Sequence, residues 1–172
     1  ILFRLVGSEM CIRDRIEAAG PGPEDERLAR LNVRVQAEGS TYARMLEKQD
    51  FQLDWSAPAL SIHRKVMGLH PGAFTQWQGK RLKVLRTEPL IERLQDQLSP
   101  EGRNLVGQWP TGGHPPGTIL AVIVIEDLGL VVSSSGCPLL IREAQLEGKA
   151  RSTAPVLLQQ LNATPGDRLG EG

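Results

Sequence analysis

After Pro71-Gly72 the chain changes rhythm, and that change limits its fold more than any other feature of it. Five strand-sized runs follow, each closed by turn residues: Ala73 to Gln78, Arg81 to Thr87, Gly117 to Glu126, Gly129 to Ser134 and Pro138 to Leu146. The separators Gln78-Gly79-Lys80, Asp127-Leu128 and Ser135-Gly136 are short enough for antiparallel hairpins. In the second run Leu82, Val84 and Arg86 are expected on one face, with Arg81, Lys83 and Leu85 on the other. One helix precedes them. Ser56 is a good N-cap, Pro58 fits the first turn, Ala59, Ile62, His63, Val66 and Met67 recur at helical spacing, and Gly68 supplies a stop. A leading amphipathic helix with five short strands predicts a mainly β domain with helices, a small closed or nearly closed antiparallel barrel.

The remaining segments are less sharply written. Leu28, Leu31 and Val35 give a weak helical pattern within 16–36, and 37–53 reads as a linker around Tyr42, Met45 and Leu46. Pro89 to Leu98 can form a short helix, Ser99 to Pro116 is a Gly/Pro-rich loop, and a last helix is expected over Ala154 to Asn162. The stretch Glu9 to Arg15 resembles a translated transposon end of the kind used in sequencing libraries, so residues 1–15 are set aside from the fold.

Composition excludes more than it assigns. The longest apolar run, Thr118 to Ile125, is far short of the roughly 20 residues of a membrane span. Two cysteines give neither a disulfide framework nor metal-ligand spacing, which suits a cytoplasmic protein. Aromatic residues make up 4 % of the chain, against an extended stacking surface for single strands. His63, His70 and His114 lack a Cys or Ser partner at a recognised spacing, and no nucleophile elbow or phosphate-binding Gly loop is present. Ser133-Ser134-Ser135 ends a strand, where turn polarity explains it. No catalytic residue is assigned.

Charge is balanced overall, with 20 basic and 20 acidic residues, but not locally. From Ser56 to Thr87 there is no Asp or Glu, whereas Arg64, Lys65, Lys80, Arg81, Lys83 and Arg86 are all present. A cluster of this kind attracts phosphate and releases counterions when it binds. An ordinary solvated face is the competing explanation.

Landmarks spread along the chain carry a resemblance. Thr41-Tyr42-Ala43, Leu46-Glu47-Lys48, Asp54-Trp55-Ser56, Ile62-His63-Arg64, Gly68-Leu69, Pro71-Gly72-Ala73 and Gly79-Lys80-Arg81-Leu82-Lys83 are followed in order by further ones. Those are Pro116-Gly117-Thr118-Ile119, Gly129-Leu130-Val131-Val132, Leu139-Leu140, Gln145 to Lys149, and Pro165-Gly166-Asp167-Arg168-Leu169-Gly170. Together they resemble the C-terminal domain of the methionyl-tRNA formyltransferases over most of residues 40 to 170. The family commonly carries a longer Asn-Pro-x-Pro-Gly-Ala turn where this chain has His70 to Ala73, and Pro89 to Pro115 matches little in it.

The resemblance implies an OB-like, Greek-key barrel over 54–172, an interdomain linker over 37–53, and over 16–36 a remnant of a catalytic N-terminal domain otherwise missing. It implies initiator methionyl-tRNA as partner, held by Arg64, Lys65, Lys80, Arg81, Lys83, Arg86, Lys149 and Arg151, in a cytoplasmic monomer. The whole enzyme would move a formyl group from 10-formyltetrahydrofolate to the methionyl amino group. The family's catalytic Asn, His and Asp and its folate site lie in the other domain, so this stretch is expected to hold no cofactor or metal. The alternative is a structural module of a formyltransferase-like enzyme with a non-RNA substrate.

Overall fold

The computed structural model describes residues 14, 17–31, 43–124 and 128–170, in a chain of two units, Ile1–Met45 and Leu46–Gly172. The expectation for 1–15 and the helical pattern at Val35 therefore lie outside the described residues, as does most of the linker before Ala43. In the first unit, helix α1 (Glu24–Arg30) has acids in its first turn and Arg27 and Arg30 in its last, the arrangement its dipole favours. Arg30 Nη1 donates to the carbonyls of Ala19 (2.8 Å) and Pro21 (3.0 Å), folding the preceding turn onto the helix.

The second unit opens with a 3-10 turn at Lys48–Phe51 and helix α2 (Ala59–Gly68). The helix starts after Pro58, which takes the N-cap position and has no side-chain acceptor, so the cap expected from Ser56 is absent and Ser56 is engaged elsewhere. Its Oγ and N–H both donate to Asp54 Oδ1, at 2.6 and 2.9 Å. That local turn wins the hydroxyl the sequence assigns to capping. Ile62 and Val66 supply the buried stripe of α2.

Six strands form one sheet: β1 (Phe74–Trp77), β2 (Lys80–Pro89), β3 (Ile119–Ile123), β4 (Gly129–Val132), β5 (Leu139–Leu146) and β6 (Ser152–Thr153). The strand order is β1-β2-β5-β4-β3, these six strands pair antiparallel throughout, and β6 pairs with the C-terminal half of β5. The β1–β2 turn needs positive φ at both central residues, and Gln78 (48°) and Gly79 (74°) provide it. The expected barrel is not formed. β1 and β3 end the strand order without pairing with each other, so the fold is a mixed α/β one built on an open sheet.

Residues near the C-terminus lie between those two edges as a strap. Ile119 N–H donates to Asp167 O, Gly166 N–H to Ile119 O, and Gly170 N–H to Gln76 O. These are isolated bonds and not a ladder.

Both faces of the sheet are covered, which explains the uninterrupted apolar runs in β4 and β5. Leu130, Val132, Leu139 and Ile141 point to one side, into a core with Ile62 and Val66 of α2 and with Leu157 and Leu161 of helix α4 (Ala154–Leu161). Val131 and Leu140 point to the other, where they meet Leu90, Leu98 and Leu105. Each such side chain contributes about 1.5–3 kcal/mol by its burial.

The second face is covered by the stretch expected to be one short helix and a loop. Instead it forms a 3-10 segment at Glu92–Gln97 and helix α3 (Pro100–Leu105), capped by Ser99 Oγ accepting from Gly102 N at 3.0 Å. α4 ends at Asn162, whose left-handed φ of 47° closes the last turn. No helix among the described residues is long and apolar enough to cross a membrane.

Candidate nucleic-acid interface

The basic residues of 56–87 lie on α2 and on the β1–β2 hairpin, and the ladder sorts those of the hairpin. Arg81 pairs with Gln76 and Lys83 with Phe74 on β1, while Lys83 faces Gln145 on β5. These side chains share the face opposite the Leu82/Val84 core. The ladder is irregular after Val84: Val84 pairs with Ala144, but Arg86 pairs with Glu143. A β-bulge at Leu85 thus turns Arg86 onto the Arg81/Lys83 side, not the Leu82/Val84 side its spacing predicts. Lys80 does the reverse. It pairs with Trp77, which is buried in the main core, so Lys80 stands exposed at the rim of that face.

The two basic residues of α2 differ from each other. Arg64 is exposed, whereas Lys65 Nζ donates to the carbonyl of Gln52 at 2.7 Å and ties the helix to the 3-10 turn. Lys149 is exposed in the turn after β5, and its carbonyl accepts from Gln145 Nε2 at 2.9 Å. Arg151 engages Glu143 with both Nε and Nη2, the latter at 2.8 Å. The Arg151 hydrogen bond holds the Glu143 carboxyl below its ordinary range, helped by the charges of Arg151, Arg86 and His70.

So the acid-free window is not an acid-free surface. Glu143 stands across from Arg86, and Glu147 Oε2 accepts the Arg81 backbone N–H at 3.0 Å. Glu143 lies in β5 and Glu147 directly after it, some sixty residues away in sequence, and no count along the chain shows them. The alternation Glu143-x-Gln145 does show that these two share one face of β5, with Glu147 next in that row beyond the strand end.

Arg81 is held most closely. Its Cζ lies 4.1 Å from the centroid of the Phe74 ring, a cation–π contact, and its Nε is buried without a hydrogen-bond partner. It borders two clefts. One, of about 650 Å³, is lined by Glu47, Gln49, Gln52, Phe74, Gln76 and Arg81 among others. The second, of about 240 Å³, is lined by Arg81, Lys83 and Gln145 to Gly148.

The other sequence candidates have structural employment. His63 Nδ1 lies 2.9 Å from Thr87 Oγ1, and burial pulls its pKa down. Ser133 Oγ donates to Pro115 O at 2.6 Å and accepts from Thr118 N at 2.9 Å. His70 and His114 are exposed, and Cys137 is a half-buried free thiol. Among the described residues no three His, Cys, Asp or Glu side chains cluster as metal ligands.

The model of the formyl transferase C-terminal domain matches residues 45–162. The chain is 90 % identical over 156 residues to the methionyl-tRNA formyltransferase of Synechococcus sp. (strain CC9605), covering 91 % of this chain and 46 % of that protein. The corresponding protein of Parasynechococcus marenigrum (strain WH8102) is 68 % identical over 156 residues, with the same coverage of 91 % and 46 %. That of Prochlorococcus marinus (strain MIT 9313) is 56 % identical over 161 residues, covering 92 % of this chain and 46 % of the relative. The chain thus spans about half the length of the curated relatives it matches.

Proposed function

Because this chain belongs to the family of the formyl transferase C-terminal domain, we propose that it is the tRNA-holding part of a methionyl-tRNA formyltransferase. In that reading the complete enzyme transfers the formyl group of 10-formyltetrahydrofolate to the amino group of initiator methionyl-tRNA in the cytoplasm. The chemistry belongs to a catalytic domain N-terminal to this one. The described residues contribute grip and orientation, and no catalytic group.

The observation that carries the reading is the convergence of Arg81, Lys83 and Arg86 on one side of the β2 ladder, where the bulge at Leu85 brings the third beside the other two. Cations spaced along a strand suit a phosphate backbone, and such contacts fix register without reading sequence. Arg151 supports the reading by occupying both oxygens of Glu143, which leaves Arg86 acting on that carboxylate through charge alone. Lys80, Arg64 and Lys149 are exposed and add their charge at longer range. Lys65 contributes charge while serving a structural bond.

The test is the affinity of the 172-residue chain for initiator tRNA at two salt concentrations, with duplex DNA as control. Binding to tRNA that weakens steeply with salt supports the reading. No binding at low salt, from a chain shown to be folded, leaves the structural-module alternative in its place.

A further inference from the structure

The larger cleft beside Arg81 favours a phosphate less than the smaller one, where Arg81 and Lys83 outweigh Glu147. In the larger, Glu47 and Glu147 each repel an anion. Lys48 and Arg81 offset these two charges, and the rest of its polar lining is amide: Gln49, Gln52 and Gln76. Such walls offer donors and acceptors to a neutral, planar, hydrogen-bonding group. One border is itself planar, the Arg81 guanidinium at 4.1 Å from the Phe74 ring centroid, with its buried Nε unpartnered. The smaller cleft is different. It shares Arg81 and Glu147 with the first, but adds Lys83 and the Gln145–Gly148 turn.

From this pair of clefts we infer a site for one unpaired nucleotide of RNA. Its base lies in the cleft bounded by Gln49, Gln52 and Gln76, stacked on the Arg81 guanidinium. Its phosphate lies in the adjoining cleft against Lys83. Single-stranded bases are recognised in this way, by stacking on aromatic rings or arginine planes and by hydrogen bonds to their edges. The carboxylates of Glu47 and Glu147 are acceptors, so they favour a base edge that donates, such as that of guanine, over one that only accepts. The inference rests on the RNA-binding reading and adds to it: the strip of cations holds backbone, and this site requires an unstacked base.

The test compares two RNAs of equal length, a stem-loop with an unpaired loop and a fully paired duplex, with the whole chain. The wild type is expected to prefer the stem-loop. Arg81→Lys keeps the charge but loses the plane. It should lose about tenfold more affinity for the stem-loop than for the duplex, the size of one base stack, with the salt slope kept because the charge is kept. Lys83→Ala should weaken both RNAs alike and lower the salt slope by about one.

A fluorescent adenine analogue in the loop should be quenched on binding to the wild type, a readout independent of any variant. Equal wild-type affinity for the two RNAs, or an Arg81→Lys loss shared equally by both, overturns the nucleotide site while leaving the RNA-binding reading intact. A folded chain that binds neither RNA overturns both.

Discussion

Glu88 and Arg142 meet at 2.9 Å although they stand 54 positions apart in sequence, each side chain almost covered. Glu88 lies at the end of β2 and Arg142 within β5. The other Glu88 oxygen accepts from Ser99 N–H and Oγ, at 3.2 and 2.9 Å. Arg142 also reaches Glu101 at 3.6 Å. This pair pins the covering segment, through the cap of α3, to the second face of the sheet. Removing one partner strands a buried charge, so Arg142→Ala should cost roughly 3 kcal/mol. Denaturant unfolding measures it, and a loss below about 1 kcal/mol would show that the pair is not what fastens the segment.

The same carboxylate makes stability depend on pH. Burial pushes the Glu88 pKa up, but the hydrogen bonds from Arg142 and Ser99 outweigh it and leave the pKa below the ordinary 4.5. A depressed folded-state pKa contributes stability that is present above the unfolded value and lost as pH falls through the folded one. Unfolding midpoints should therefore drop below pH about 4.5, and Glu88→Gln should flatten that part of the profile.

Gly129 tolerates no side chain. Its φ is 110°, and a Cβ built there would sit 2.0 Å from the carbonyl oxygen of Ile141 on the neighbouring strand. Gly129→Ala has to part β4 from β5 or move both, at an expected cost above about 3 kcal/mol. Loss of the cooperative melt at ambient temperature is the result to look for.

Gln78 holds a left-handed φ of 48° in the β1–β2 turn, a conformation that suits Asn better. Gln78→Asn should raise stability by about 0.5 kcal/mol. A destabilised variant would mean that Gln78 makes a contact beyond the turn.

Placement on the ladder separates the two ends of the basic window. Arg86→Ala should lower the slope of log affinity for tRNA against log salt by about one, whereas Lys80→Ala should leave it nearly unchanged. Equal effects would mean that the RNA follows the hairpin end and not the strand face.

The periodicities gave α2, the hairpin at Gln78-Gly79 and α4 almost to the residue, because these rest on local chemistry. They could not reveal the bulge at Leu85, since an inserted residue leaves the composition of a strand untouched and only shifts its partners. For the same reason the alternation puts Arg86 on the wrong side, and it gives no sign that Glu143 and Glu147 neighbour the basic strip. Five antiparallel strands are compatible with a barrel or with an open sheet. The difference lies in whether β1 meets β3, a contact between residues more than forty apart. The stretch Ser99 to Pro116 reads as a loop, although it opens with α3, because Leu105 is too isolated among Gly and Pro to mark a helical stripe.

The strap that reaches from Ile119 to Gln76 also guards the molecule against its own kind. β1 and β3 each have an outer row of main-chain donors and acceptors, and such rows recruit strands from other chains. Asp167, Gly166 and Gly170 occupy part of those rows, and the parallel bridge from Gln52 to Phe74 occupies another part of β1. A chain clipped before Gly166 would lose Leu169 from the core and uncover the strap's share of both edges at once. It should turn from a dispersed protein into one that oligomerises as its concentration rises.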